Sequence, residues 1–154
     1  MKPMPRRVVT GLDAEGRSGV IFDGAVPDPG GSGVGLIWRT PAIPGDNAGT
    51  AEAADRPFDF EMMHCGGSDF LVLEYPPGMG GEGPFWHATD TIDYIVVLSG
   101  EVVLIVEEGE VACGPGTFIV DRGVLHAWRN DGAVPARIAV VNLPAHPVGK
   151  GKTV

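Results

Sequence analysis

From Asp69 onward the apolar positions fall in short runs: Phe70 to Tyr75, Thr91 to Leu98, Val102 to Val106, Thr117 to Val120, Leu125 to Arg129 and Ile138 to Leu143. Each run is rich in β-branched residues and bounded by Gly, Pro or charge, and the runs recur at intervals of roughly ten residues, the spacing of an all-β sandwich or barrel. Nothing in this stretch has the 3.6-residue period of a helix. Glu107-Glu108-Gly109-Glu110 lies between two apolar runs and predicts a hairpin tip, with Gly109 free to take positive φ. The first third is less regular. Strands are expected at Val8 to Thr10, Val20 to Asp23 and Leu36 to Thr40, separated by loops at Val26 to Gly35 and Pro41 to Arg56 that are rich in Pro, Gly, Ala and Asp. Pro147 to Val154 has little to bury and is expected to be a flexible tail. The chain therefore reads as one domain: N-terminal strands and loops over 1–68, a barrel core over 69–146, and the tail over 147–154.

Composition narrows the picture. At 154 residues the chain is long enough to bury a core without staples, and 24 Gly with 14 Pro suit short strands and tight turns. The formal net charge is -9, and the basic residues are scattered rather than clustered. Nucleic acid is excluded as a partner, because binding it requires clustered Lys and Arg against phosphate. The longest apolar run, Ile95 to Leu98, is too short to span a bilayer. Cys65 and Cys113 form no CxxC motif and no leader precedes the domain, so the cysteines read as reduced thiols in a cytoplasmic protein.

Candidate chemistry concentrates in two places. His87, Thr89, Thr91 and Asp93 share parity, so on a strand their side chains leave on one face. Fully extended, His87 and Asp93 would stand roughly 20 Å apart, so a shared site needs a bend, for which the polar Thr89-Asp90-Thr91 is suited. The second place is His126-Ala127-Trp128-Arg129-Asn130, where Trp128 shares parity with His126. If Trp128 faces the pocket, the ligand is flat or apolar. Trp86, next to His87, is placed to gate the mouth, and Tyr94 is a further candidate for the pocket wall. His64 beside Cys65 and His146 in the tail take no role. Arg122 and Arg129 alternate with apolar neighbours and read as a solvated outer face.

Residues Gly81 to Gly100 read G-(x)5-H-x-T-(x)3-D-(x)6-G, and after fifteen more residues Gly116 to Asn130 read G-(x)6-G-(x)2-H-(x)3-N. These blocks resemble the two signatures of the cupins, and with Arg6 to Gly11 and Trp38-Arg39-Thr40 the resemblance to small single-domain bacterial cupins covers most of the chain. It implies an all-β jelly-roll β-barrel (a double-stranded β-helix) whose N-terminal strands pack on the barrel or cross to a partner subunit. It also implies a pocket in which a divalent metal sits on three His and one Glu. Here Thr89 stands at one His position and Asp93 at the Glu position. Asp93 is one methylene shorter than Glu, about 1.5 Å less reach, and either ligates or orients His87.

His87, His126 and Asp93 are thus the candidate metal-ligating and catalytic residues, a set that suits Fe, Mn or Zn with positions left open. Thr89, Trp128, Trp86 and Tyr94 are the candidate substrate-pocket residues. The resemblance implies a metal-dependent enzyme of oxygenase, decarboxylase or isomerase type, acting on a small apolar, aromatic or polyketide-like substrate. Two alternatives stand beside it. One is a metal-free barrel that only binds a small molecule; the other is a metal-free lyase or isomerase with His87 or His126 as general base. A homodimer is expected, since cupins often pair and the N-terminal strands offer an edge to share.

Overall fold

A computed structural model describes residues 3–154; Met1 and Lys2, the start of the expected N-terminal strands and loops, lie outside the described residues. Ten strands form in chain order: β1 Arg6–Leu12, β2 Ser18–Ala25, β3 Val34–Thr40, β4 Ser68–Tyr75, β5 Thr91–Ser99, β6 Val102–Val106, β7 Gly109–Cys113, β8 Phe118–Asp121, β9 His126–Arg129 and β10 Ala136–Pro144. A single 3-10 turn of helix, Phe60–His64, precedes β4 and is capped by the Asp59 carboxylate, which accepts from the Met62 N–H at 3.0 Å.

The strands form a five-stranded antiparallel sheet in the order β3-β4-β10-β5-β8, a three-stranded sheet β7-β6-β9, and the hairpin β1-β2. This is the expected all-β jelly-roll, with the barrel interior between the two larger sheets. Alternation along β5 is strict: Thr91, Asp93, Ile95 and Val97 are buried, whereas Tyr94 and Leu98 are exposed. The hairpin β1-β2 docks through Arg7, whose guanidinium bonds the Ile37 carbonyl and the Glu52 carboxylate and lies 5.5 Å from the Phe22 ring.

Register places the inner-face side chains in rows across the sheet. Leu71, Val140, Ile95 and Ile119 stand opposite one another on β4, β10, β5 and β8. Two positions along the strands lies a polar row: Asp69, Asn142, Asp93 and Asp121. All four are buried. A buried carboxylate needs a counter-charge or donors, and the ends of the row have them: Arg39 Nη1 stands 2.6 Å from Asp69 Oδ1, and His126 Nδ1 stands 2.8 Å from Asp121 Oδ2. One end of the barrel interior is therefore polar and the rest apolar.

The strand β7 was readable only as the arm beyond a hairpin tip, because four of its five residues are exposed and carry no inward stripe. Among the described residues no helix is long and apolar enough to cross a membrane.

Candidate functional site

The chain bends at Asp90, immediately before β5, so the segment carrying His87 turns away from the sheet and runs beside β9. There His87 and His126 form an antiparallel bridge: the N–H of each donates to the carbonyl of the other at 2.9 Å. Directly opposed residues of an antiparallel pair project to the same side. The two imidazoles accordingly lie with ring centroids 4.3 Å apart. Gly123 allows this close approach, since a Cβ there would stand 2.6 Å from the Thr89 carbonyl oxygen and 2.9 Å from that of Thr91, with φ at +73°.

Both rings are fixed through Nδ1. That of His87 lies 3.2 Å from the Phe85 carbonyl oxygen. That of His126 donates to the Val124 carbonyl oxygen at 2.9 Å, and Asp121 Oδ2 is a close ion-pair partner of the same nitrogen at 2.8 Å, off the direction of that hydrogen bond. The tautomer with Nδ1 protonated satisfies these contacts and leaves Nε2 as the nitrogen available to the cavity. Asp121 is held in turn, its Oδ1 accepting from the N–H groups of Gly123 and Val124 at 3.0 and 3.3 Å.

The two environments push the rings apart. Burial lowers the His87 pKa, and the neighbouring His126 adds to the effect. Burial also acts to lower that of His126, but the bond to Asp121, the Asp121 and Asp93 charges and the Val124 carbonyl outweigh it, and its pKa is raised. A first proton on the pair therefore belongs with His126.

These rings stand at the head of a cavity of about 350 Å³. Its walls are apolar, with Leu71, Leu73, Ile95, Ile138 and Val140 from the sheet and Trp128 and Tyr75 from the side. Trp128 meets His126 edge-on at 5.8 Å and stacks on Tyr75 at 6.0 Å. At the mouth, Phe85 stacks on His87 at 5.1 Å and Phe60 approaches the same ring at 5.8 Å. Asp93 and Asn142 reach the cavity from the polar row. Burial raises the Asp93 pKa, against the lowering effect of bonds from Thr91 and Asn142.

The structure thus brings together His87, His126, Asp93 and Trp128 of the residues expected from the sequence. The other three are placed elsewhere. Thr89 lies behind the cavity, its Oγ1 2.8 Å from Thr91 Oγ1, which in turn donates to Asp93 Oδ1 at 2.7 Å; it steadies Asp93 and does not line the pocket. Trp86, adjacent to His87, points to the opposite side of its strand and packs by Ile105 and Leu125, so Phe85 and Phe60 form the mouth instead. Tyr94, adjacent to Asp93, is on the outer face of the sheet for the same reason.

Nε2 of His87 and of His126 suit a divalent ion, and a carboxylate behind a ligating imidazole is a common support for one. The third and fourth family positions do not follow. Thr89 is bonded to Thr91, and Asp93 is engaged by Thr91 and Asn142. Among the described residues no three His, Cys, Asp or Glu side chains converge to hold one ion. As placed, the side chains provide two ligands and fall short of a two-His, one-carboxylate centre.

Reading the sequence missed Asp121, Asn142 and the phenylalanines at the mouth. A signal for Asp121 was present: it opens Asp121-Arg122-Gly123, five residues before His126 in the second block.

Residues 71–142 match a sequence family described as a cupin domain. Among curated proteins, the Oryzines biosynthesis cluster protein J of Aspergillus oryzae is 40% identical over 89 residues, which cover 56% of this chain and 48% of that protein; the chain spans about half of its length. The Phomopsin biosynthesis cluster protein D of Diaporthe leptostromiformis is 31% identical over 157 residues, covering 94% of this chain and 80% of that one. Among solved structures, the Cupin_2 domain of an XRE-family transcriptional regulator from Enterobacter cloacae is 21% identical with a TM-score of 0.42, over 49% of this chain and 80% of that one. Given the family match and a relative aligned over nearly its whole length, the chain belongs to the cupin superfamily.

Proposed function

We propose that this cupin takes a small, largely apolar molecule into its barrel cavity and acts on a polar group of that molecule with the His87–His126 pair. The observation that carries this reading is the placement of two imidazoles, 4.3 Å apart, at the head of an otherwise apolar cavity. A volume of about 350 Å³ lies at the lower end of the range for small-molecule sites and suits one or two fused rings. The flat walls of Trp128 and Tyr75 favour an aromatic or planar ligand. Both curated relatives are named for biosynthesis clusters, which supports a role in making a small molecule.

In this reading His126, supported by Asp121, and the neutral His87 form a proton donor and a proton acceptor side by side. Such a pair suits transfer of a proton within an enolisable carbonyl or a phenol, the chemistry of an isomerase or lyase. The test is exchange of carbon-bound protons with deuterated solvent, above the uncatalysed rate, for a panel of small cyclic ketones and phenols. The reading expects exchange that His126→Ala and His87→Ala each abolish and that EDTA leaves unchanged. Exchange absent across the panel, or indifferent to both substitutions, would overturn it.

A second reading is a metal-dependent enzyme at the same place, using Fe, Mn or Zn. The observation in its favour is the pair of free Nε2 atoms with Asp121 behind one of them. It requires a third ligand that the present side-chain positions do not supply, and metal content separates it from the first reading.

We also propose that a second copy of the chain covers the outer face of the five-stranded sheet. The row Phe70-Val141-Tyr94-Val120 and, beside it, Val96 and Phe118 cross that face without a charged residue, with Phe70, Tyr94, Phe118 and Val120 exposed, while Val72 and Ala139 are already buried within the chain. The net charge of -9 opposes self-association, and an uncharged apolar face that meets its own copy is where burial can outweigh it. The thiols of Cys65 and Cys113 are free, which supports a cytoplasmic setting.

A further inference from the structure

The short segment between His87 and β5 is clamped from two sides. In an extended chain, successive backbone N–H and C=O groups point to opposite edges. His87 bonds β9 through His126, so Ala88 faces the other way, and its partner there is Thr153. The Ala88 N–H donates to Thr153 Oγ1 at 2.9 Å, and the Thr153 N–H donates to the Ala88 carbonyl at 2.9 Å. One residue earlier, the Lys152 N–H donates to Asp90 Oδ1 at 2.8 Å, and the Ala145 N–H donates to the Asp90 carbonyl at 2.9 Å. The segment expected from sequence to be a flexible tail is tied at both Ala88 and Asp90. It touches none of the cavity wall, so it does not act as a lid.

We propose that Thr153 is a positioning residue for His87. Its hydroxyl and amide hold the Ala88 peptide from behind, and this fixes where the His87 ring stands relative to His126 and the mouth residues Phe60 and Phe85. The consequence for ligand handling rests on the proposed function above; the effect on the His87 ring does not. Thr153 is itself exposed, so replacing it perturbs little packing. Loss of the hydroxyl leaves the buried Ala88 N–H without its acceptor.

The experiment compares wild type, Thr153→Val and Thr153→Ser by NMR at one fixed pH, reading the imidazole nitrogen signals of His87 and His126 and the exchange rate of the Ala88 amide. Expected for Thr153→Val are shifted or broadened His87 signals, unshifted His126 signals, and Ala88 exchange faster by about tenfold or more. Thr153→Ser restores all three. His87 signals unchanged in Thr153→Val, or shifts in both histidines alike, would overturn the proposal. Phenol is titrated into the same samples as a cavity probe. Wild type that ignores phenol while Thr153→Val still moves His87 would count against the functional reading and leave the positioning role standing; the reverse pattern would remove the positioning role alone.

Discussion

Replacing Asp121 with Asn is the most informative perturbation of the polar row. The substitution preserves shape, and the amide oxygen can still accept from Gly123 and Val124 as Asp121 Oδ1 does. What changes is the atom 2.8 Å from His126 Nδ1: a carboxylate oxygen that accepts becomes an amide nitrogen that donates. The incoming amide donor crowds the Nδ1–H, which the Val124 carbonyl 2.9 Å away still favours; moving the proton to Nε2 relieves that crowding at the cost of the Val124 bond, so the tautomer balance shifts toward Nε2–H, which presents N–H rather than a lone pair to the cavity. A bond to a charged partner contributes about 1.5–3 kcal/mol net. Removing a buried carboxylate also relieves its desolvation cost, so the expected loss is about 1–2 kcal/mol. For a chain of this length that corresponds to a fall in Tm of roughly 2–8 °C. The assay pairs urea denaturation with imidazole nitrogen spectra at a pH where His126 is neutral. The account expects lower stability with unchanged m, together with a shift of the His126 tautomer toward Nε2–H. Unchanged stability and an unchanged tautomer would refute the claim that Asp121 orients His126.

Three further outcomes follow from the same structure. Leu36→Ala, at one of the most deeply buried positions, should cost about 2–5 kcal/mol in chemical denaturation; a loss below 1 kcal/mol would mean that this part of the core is not packed as described. Phe118, 82% exposed on the outer face, should tolerate Lys with little loss of monomer stability, while light scattering should show the wild type near twice the 16.1 kDa chain mass and the variant near one; a monomeric wild type would refute the paired sheet face. Elemental analysis of protein purified without chelator or affinity nickel should find clearly less than one equivalent of Fe, Mn or Zn, as two imidazole ligands imply. A full equivalent that His126→Ala abolishes would instead establish the metal-dependent reading.

Strand positions were legible because short β-branched runs bounded by Gly, Pro or charge recur along the chain, and β5 adds plain period-2 burial. The same parity that groups His87 with Asp93 also places Trp86 and Tyr94 on the opposite face, so those two assignments to the pocket conflicted with the rule that located the site. Asp121 and Asn142 were harder to see. Their place beside Asp93 depends on which strands pair and in what register, information that only the folded sheet contains. The hold of Thr153 on Ala88 spans 65 residues and joins a lone tail hydroxyl to backbone groups that every residue has, so no pattern along the chain announces it. Phe85 stands two residues before His87 and shares its parity, so it could have been read from the sequence, whereas Phe60 comes to the same ring from the 3-10 turn, a result of packing.

The central claim is that the cavity headed by His87 and His126 receives a small planar molecule. Its most direct test is titration of phenol and 2-naphthol into protein in which Trp38 and Trp86 are replaced by Phe, so that Trp128 reports alone, with Leu73→Phe as a cavity-filling control that adds no second tryptophan. The account predicts saturable quenching of Trp128 with matching shifts of the His126 imidazole signals, both lost when Leu73→Phe fills the cavity. Quenching that never saturates, or that survives the filled cavity, would contradict it.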